Sequence, residues 1–221
     1  AVIITNLRHR HEDIAVRFWT SSDSASDIVT AQHPLVLYAS VTRGLAPILN
    51  ASVLVSIQVM TENSTLLSLP PLSLADNGNG DPDLTRGDGV YSRYMTQYPA
   101  VGRYTFTITV SDNSGEAVFL IKSENITERC CGSFLEFDPS ELTGTGAFSR
   151  QFSVPAINLI QVPDSTTEDR MPPSKIGDLK MEVLSESEAL LAMWTAPGDD
   201  FDMGSVAGYR FLFASSMAEL L

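Results

Sequence analysis

Tyr104, Phe106, Ile108 and Val110 alternate with Thr105, Thr107 and Thr109, and Val53, Val55, Ile57 and Val59 alternate with Leu54, Ser56, Gln58 and Met60. A period of two sends successive side chains to opposite faces of an extended strand, so the first run predicts a half-buried strand with a threonine face outside. Leu35 to Thr42, Leu66 to Leu69, Val90 to Met95 and Ala117 to Ile121 supply further strands. Turn signals separate them at Arg43-Gly44, Asp76 to Gly80, Val101-Gly102 and Asp112 to Gly115. Helical periodicity of useful length is missing. Short strands at this spacing predict an all-β fold, an Ig-like antiparallel β-sandwich placed at residues 31–128.

The flanks read differently. Ile14 to Trp19 forms one strand pattern before a Ser/Asp stretch, so residues 1–30 are expected to be the tail of a preceding domain and a polar connector. Residues 129–170 carry scattered Gly, Ser, Thr and Pro and are expected to be a linker, with one irregular strand at Gln151 to Val154. A second unit opens at Pro172-Pro173 and covers 171–221. Leu179, Met181 and Val183 mark its first strand, Leu190, Ala192 and Trp194 its second, and Tyr209, Phe211 and Phe213 its third. This is the pattern of a fibronectin type III sandwich, which needs roughly seven strands, so the second unit is expected to be truncated.

With 43% apolar residues, 221 positions are enough for a folded, soluble chain with one large or two ordinary cores. Against 14 basic residues stand 27 acidic ones, and the net charge of −13 opposes attraction to nucleic acid or to an anionic membrane surface. No window approaches the roughly 20 apolar residues of a membrane span. Three sequons, Asn50-Ala-Ser52, Asn63-Ser-Thr65 and Asn125-Ile-Thr127, fall at turns or strand ends and point to an exported protein glycosylated at Asn50, Asn63 and Asn125. The two cysteines, Cys130 and Cys131, are adjacent and form no disulfide framework; two unpaired thiols are the simpler reading, a bond to an outside partner the alternative.

The chemistry concentrates in Leu74-Ala-Asp-Asn-Gly-Asn-Gly-Asp-Pro-Asp-Leu-Thr-Arg-Gly-Asp-Gly-Val-Tyr-Ser-Arg-Tyr94. Asp76, Asp81, Asp83 and Asp88 lie within 13 positions, and with Arg86 the loop carries a net −3. Carboxylates and carbonyls of such a loop could supply the roughly six to eight oxygens that calcium takes. The spacing is not that of an EF-hand, since Asp76 to Gly80 lacks alternating acidic ligands and no glutamate follows at the twelfth place. The competing and favoured reading is that each aspartate caps a turn or accepts backbone amides. Asp199, Asp200 and Asp202 are read as a solvated loop, and Trp194, Tyr209 and Phe211 as core.

Catalysis finds no support in the sequence. His9, His11 and His33 are the only histidines; His9-Arg-His-Glu-Asp13 lacks the second histidine of a zinc-protease helix, Asp23-Ser-Ala-Ser-Asp27 has alanine where a von Willebrand A-type metal site needs serine, and no Gly-x-Ser-x-Gly elbow or phosphate loop occurs. The segment is read as not an enzyme, with no cofactor beyond the calcium option.

Val36-Leu-Tyr-Ala-Ser-Val-Thr-Arg-Gly-Leu-Ala-Pro-Ile-Leu-Asn50, the Asp76 to Tyr94 loop, Gly102-Arg-Tyr104, Gly132-Ser-Phe134 and Pro172 to Tyr209 occur in an order and spacing that resemble the C-terminal half of the calcium-activated chloride channel regulator (CLCA) family. The resemblance runs from about Leu35 to Ala214, weakening at Ser111 to Glu128 and Leu135 to Asp169. Cys130-Cys-Gly-Ser-Phe134 departs from the family's Ser-Gly-Gly-Ser-Phe type stretch, and the segment after Val110 is shorter than expected. The resemblance implies a secreted or cell-surface protein whose fuller form carries a self-cleaving metalloprotease-like domain, a von Willebrand A domain, a β-rich region and a fibronectin type III domain. It also implies modulation of chloride conductance through contacts with a membrane channel or with other parts of the same protein. Two other functions remain open: an extracellular adhesion or matrix spacer, and an accessory region of a metalloprotease lying upstream.

Overall fold

The computed structural model describes residues 2–4, 14–22, 34–120, 138–161, 171–184 and 189–212, the first of these by backbone only. In chain order the strands are β1 (Val2–Ile4), β2 (Ile14–Thr20), β3 (Leu35–Arg43), β4 (Ala46–Leu49) and β5 (Ser52–Thr61). After the β5 hairpin come β6 (Leu66–Ser68), β7 (Leu72–Leu74), β8 (Val90–Met95), β9 (Gly102–Ser111) and β10 (Val118–Leu120). The last are β11 (Leu142–Gly144), β12 (Ser149–Ser153), β13 (Ile157–Leu159), β14 (Lys180–Leu184) and β15 (Ala189–Met193). Among the described residues there is no α-helix, and every named strand pair is antiparallel. The chain is all-β, as its alternation requires.

One sheet runs β1-β2-β3-β4-β10-β11 with β8 also on β3; the other runs β12-β9-β5-β6, with β13 on β9 and β7 on β5. Between them lies one apolar core. Val53, Val55, Ile57 and Val59 of β5 and Tyr104, Phe106, Ile108 and Val110 of β9 are buried, facing Leu35, Leu37, Ala39 and Val41 of β3. Phe18 reaches across from the first sheet to within 6.2 Å of the Phe106 ring. The threonines of β9 face outward, and β5 pairs with β9 over ten positions from Ser52↔Ser111 to Thr61↔Gly102. Long in-register pairing of two fully alternating strands makes this sheet the backbone of the sandwich.

Two flanking segments differ from expectation. Ile14–Thr20, expected in the tail of a preceding domain, pairs with β3 along its whole length and buries Ile14, Val16 and Phe18 in the shared core. Leu142–Leu159, expected in a linker, gives three strands: β11 joins β10, while β12 and β13 extend the second sheet along β9. Phe148, Phe152, Ile157 and Leu159 seal that edge. Arg43 ties the region back, its guanidinium 4.3 Å over the Phe119 ring and its Nη2 donating to the Thr145 carbonyl at 2.7 Å. These strands are short and interrupted by Gly and Pro, so local alternation hid them; their partners lie far away in sequence.

β14 and β15 form a separate hairpin in register Lys180↔Met193. Asp178 closes its base, accepting the Thr195 amide at 3.0 Å and the Thr195 hydroxyl at 2.6 Å. The third strand expected at Tyr209 and Phe211 is irregular chain over the described residues; Phe213 lies outside them. Trp194 nevertheless packs edge-on against Tyr209 and Phe211, at 4.9 and 5.5 Å between centroids. Of the other expectations, His9, His11, His33, Asn125, Cys130 and Cys131 lie outside the described residues.

Candidate functional site at the acidic loop

The loop from Asp76 to Gly89 leaves β7 and returns into β8. Ala75 and Ser92 exchange backbone hydrogen bonds at its base, at 3.2 and 2.8 Å, so its two ends are fixed to the sandwich. Inside, each carboxylate has a partner from the chain itself. Asp76 accepts the Gly87 amide and, at 2.9 Å, the Gly89 amide. Asp83, buried, accepts the Asn77 amide and, at 2.8 Å, that of Gly78. Asp88 accepts the Val90 amide at 2.8 Å, and Asp81 accepts the Tyr94 hydroxyl. The peptide bond Asp81–Pro82 is cis.

Two glycines make this winding possible. Gly89 has φ +77 and a Cβ there would stand 2.8 Å from Pro47 Cβ and 2.9 Å from the Val41 carbonyl; Gly78 has φ +65 and a Cβ would meet Arg86 at 2.8 Å. Gly89 also accepts the Val41 amide at 2.8 Å, so the loop ends by stitching into β3. Only a residue without a side chain passes there.

The electrostatics follow from burial. Desolvation lifts the Asp76 carboxyl to about 7 against the downward pull of its two amide donors, and nearby Asp88 and Asp83 add to the rise. Asp83 is lifted to about 6, again by burial first and against its own amide bonds. Burial and the Asp81 carboxylate hold the Tyr94 hydroxyl well above its ordinary value. Among the described residues no three His, Cys, Asp or Glu side chains gather as a metal ion would require. The hydrogen bonds cap turns at Asp76, Asp83 and Asp88, with Asp81 set apart on Tyr94.

A second wall faces the loop. Thr195, Ala196, Gly198, Asp202 and Gly204 lie across from Asn77, Asn79, Gly80, Asp83 and Arg93, leaving a polar cleft of about 230 Å³. Asp202 Oδ2 is 3.4 Å from Arg93 Nε. Burial raises the Asp202 carboxyl, while Arg93 pulls it down. The sequence placed Asp202 in a solvated loop; the fold makes it a contact residue. Nothing local signals this, because its partner is 109 positions earlier.

The other predicted positions lie elsewhere. Asn50 is exposed in the β4–β5 turn with φ +57, and Asn63 is exposed in the β5–β6 turn. They sit at opposite ends of β5. Among the described residues, no helix is long and apolar enough to cross a membrane.

No protein-family profile matches the chain. Individual curated proteins do. Calcium-activated chloride channel regulator 4 of Homo sapiens is 31% identical over 206 residues, covering 88% of this chain and 22% of that protein. Regulator 1 of Homo sapiens is 31% identical over 213 residues, 90% of this chain and 22% of that protein. Regulator 2 of Mus musculus is 29% identical over 195 residues, 83% and 20% respectively. The chain belongs to the calcium-activated chloride channel regulator family. It spans about a fifth of the length of these regulators.

Proposed function

We propose that this segment is a non-catalytic, extracellular accessory module of a regulator of calcium-activated chloride conductance, acting through protein contacts with a channel or with other parts of its own protein. The observation that carries the non-catalytic reading is the fate of the acidic loop. Its four carboxylates accept hydrogen bonds from the chain's own amides and from Tyr94, which supports a role in fixing the shape of the loop. Membership of the family supports the channel connection, since the relatives are named as calcium-activated chloride channel regulators. Exposed sequon asparagines at Asn50 and Asn63 support an extracellular setting and carbohydrate at those two turns. We further assign the two structural units as a sandwich that takes in β2 to β13 and a fibronectin type III-like unit that begins at Met171.

Patch clamp provides the test. The purified chain is applied outside epithelial cells whose calcium-activated chloride current is recorded at fixed intracellular calcium. A change in current amplitude is expected, and it should vanish with heat-unfolded chain. Equal currents with folded chain, unfolded chain and buffer overturn the channel reading.

A further inference from the structure

The segment after the sandwich meets it around Phe201, and also where Gly177 lies against Leu84 and Gly80 against Thr195. Asp200 and Met203 exchange backbone hydrogen bonds, both at 3.0 Å, and close a tight turn with Phe201 and Asp202 at its tip. Phe201 has φ +56. A left-handed backbone is costly for an L-residue, and for a bulky aromatic it is an outlier. Glycine or asparagine would serve such a turn better, so the turn alone does not account for phenylalanine.

The ring does account for it. Phe201 is 5% exposed and stacks on Tyr94 with centroids 4.6 Å apart and planes 20° from parallel. Val36, Tyr38 and Met171 complete a small apolar cluster, and Met171 also packs against the main core. The same turn brings Asp202 to Arg93. Behind it, the Phe201 amide donates to the Pro172 carbonyl at 3.0 Å and the Ser174 amide donates to the Phe201 carbonyl at 3.2 Å. Both the entry of the second unit and its 198–204 turn are thereby held against β3 and β8. Strained residues persist where their surroundings over-determine them, and here both the ring and the backbone of Phe201 are held, with Asp202 beside it on Arg93.

We propose that Phe201 is a latch that seats on Tyr94 and fixes the 171–212 unit in one orientation on the sandwich, so that the two units move as one body. A partner bound to one unit then repositions the other without a hinge between them. The inference stands apart from the identity of the channel, and its failure leaves that reading untouched.

The test uses the full 221-residue chain with Cys130 and Cys131 replaced by serine and spin labels introduced at Ser56 and Glu182, both exposed. Electron–electron double resonance should give one narrow distance distribution. Phe201→Gly keeps, and even favours, the backbone angle while removing the ring; a latch predicts that the distribution broadens about twofold with the strand signal in circular dichroism unchanged. A turn-only role predicts an unchanged width, and that result overturns the proposal, as does a broad distribution in the parent chain. Should Phe201→Gly lose its fold, Tyr94→Leu keeps an apolar seat but abolishes the stack: broadening supports the latch and an unaltered width overturns it.

Discussion

Asp76 Oδ2 accepts the Gly89 amide at 2.9 Å across the full width of the acidic loop. The other oxygen of the same carboxylate takes the Gly87 amide, so one side chain near the start of the loop organises its end. Removing that side chain orphans two amides on buried glycines, at roughly 1–3 kcal/mol for each group left unsatisfied. Asp76→Ala should therefore lower the unfolding free energy by about 2–6 kcal/mol in chemical denaturation. A loss below about 0.5 kcal/mol, the size of a neutral surface change, would mean that the loop is not held by this carboxylate.

Gly89→Ala tests the same closure from the other side. An added methyl would meet Pro47 and the Val41 carbonyl inside van der Waals contact on a backbone with φ +77. Backbone cost and overlap together amount to roughly 2–4 kcal/mol. Because the overlap displaces the β3 edge, amide hydrogen exchange at Val41 should accelerate as well.

Protonation of the loop sets a pH dependence with a definite sign. Asp76 is raised to about 7 and Asp83 to about 6, both above the ordinary aspartate value of 3.8 that applies in the unfolded chain. Between about pH 4 and 7 the folded state holds more protons than the unfolded one, so this contribution is fully present below pH 4 and is lost as pH rises through 6 to 7. The parent chain should lose stability relative to Asp76→Asn on going from pH 5 to pH 8. A difference that is flat or of the opposite sign across that range would show that the amide donors outweigh burial.

Calcium provides an independent check on the capping geometry. Since the four loop carboxylates already have protein donors, millimolar calcium is expected to shift the melting temperature by less than about one degree, far from the several degrees that ligand linkage gives at saturation. A rise of that larger size, abolished by Asp83→Asn, would reassign the loop as a cation site.

Tyr91 should prove as important as any core aliphatic. Its hydroxyl donates to the Ile48 carbonyl at 2.8 Å and accepts the Ala51 amide at 2.9 Å, pinning the β4–β5 turn that carries Asn50. Tyr91→Phe keeps the ring and strands two buried backbone groups, so a loss of about 2 kcal/mol is expected in thermal or chemical denaturation. An unchanged melting temperature would rule out that anchoring role.

Strand identity was open to inspection wherever one face is wet and the other dry. The runs at 53–59 and 104–110 show it most clearly, for there each threonine or serine marks the outer face and, Leu54 apart, each aliphatic marks core. β12 could be glimpsed for the same reason, whereas β11 and β13, three residues each, carry too few positions for a period to emerge. β2 showed its own pattern but not its allegiance. Its partner β3 begins 15 residues after it ends, and nothing in either strand's composition states that they meet.

The acidic loop divides in the same way. Its need for glycine and its surplus of carboxylates are written in order along the chain, and turn capping follows from that local chemistry. Its contact with Asp202 and Phe201 is not, because it depends on a segment more than 100 positions later arriving beside β8. Alternation and turn residues act over a few bonds, so the sequence alone determined that this chain makes strands and where most of them turn. Which strands share a sheet, and which aromatic ring finds which, was decided by burying a common apolar surface, an energy that exists only once distant segments have come together.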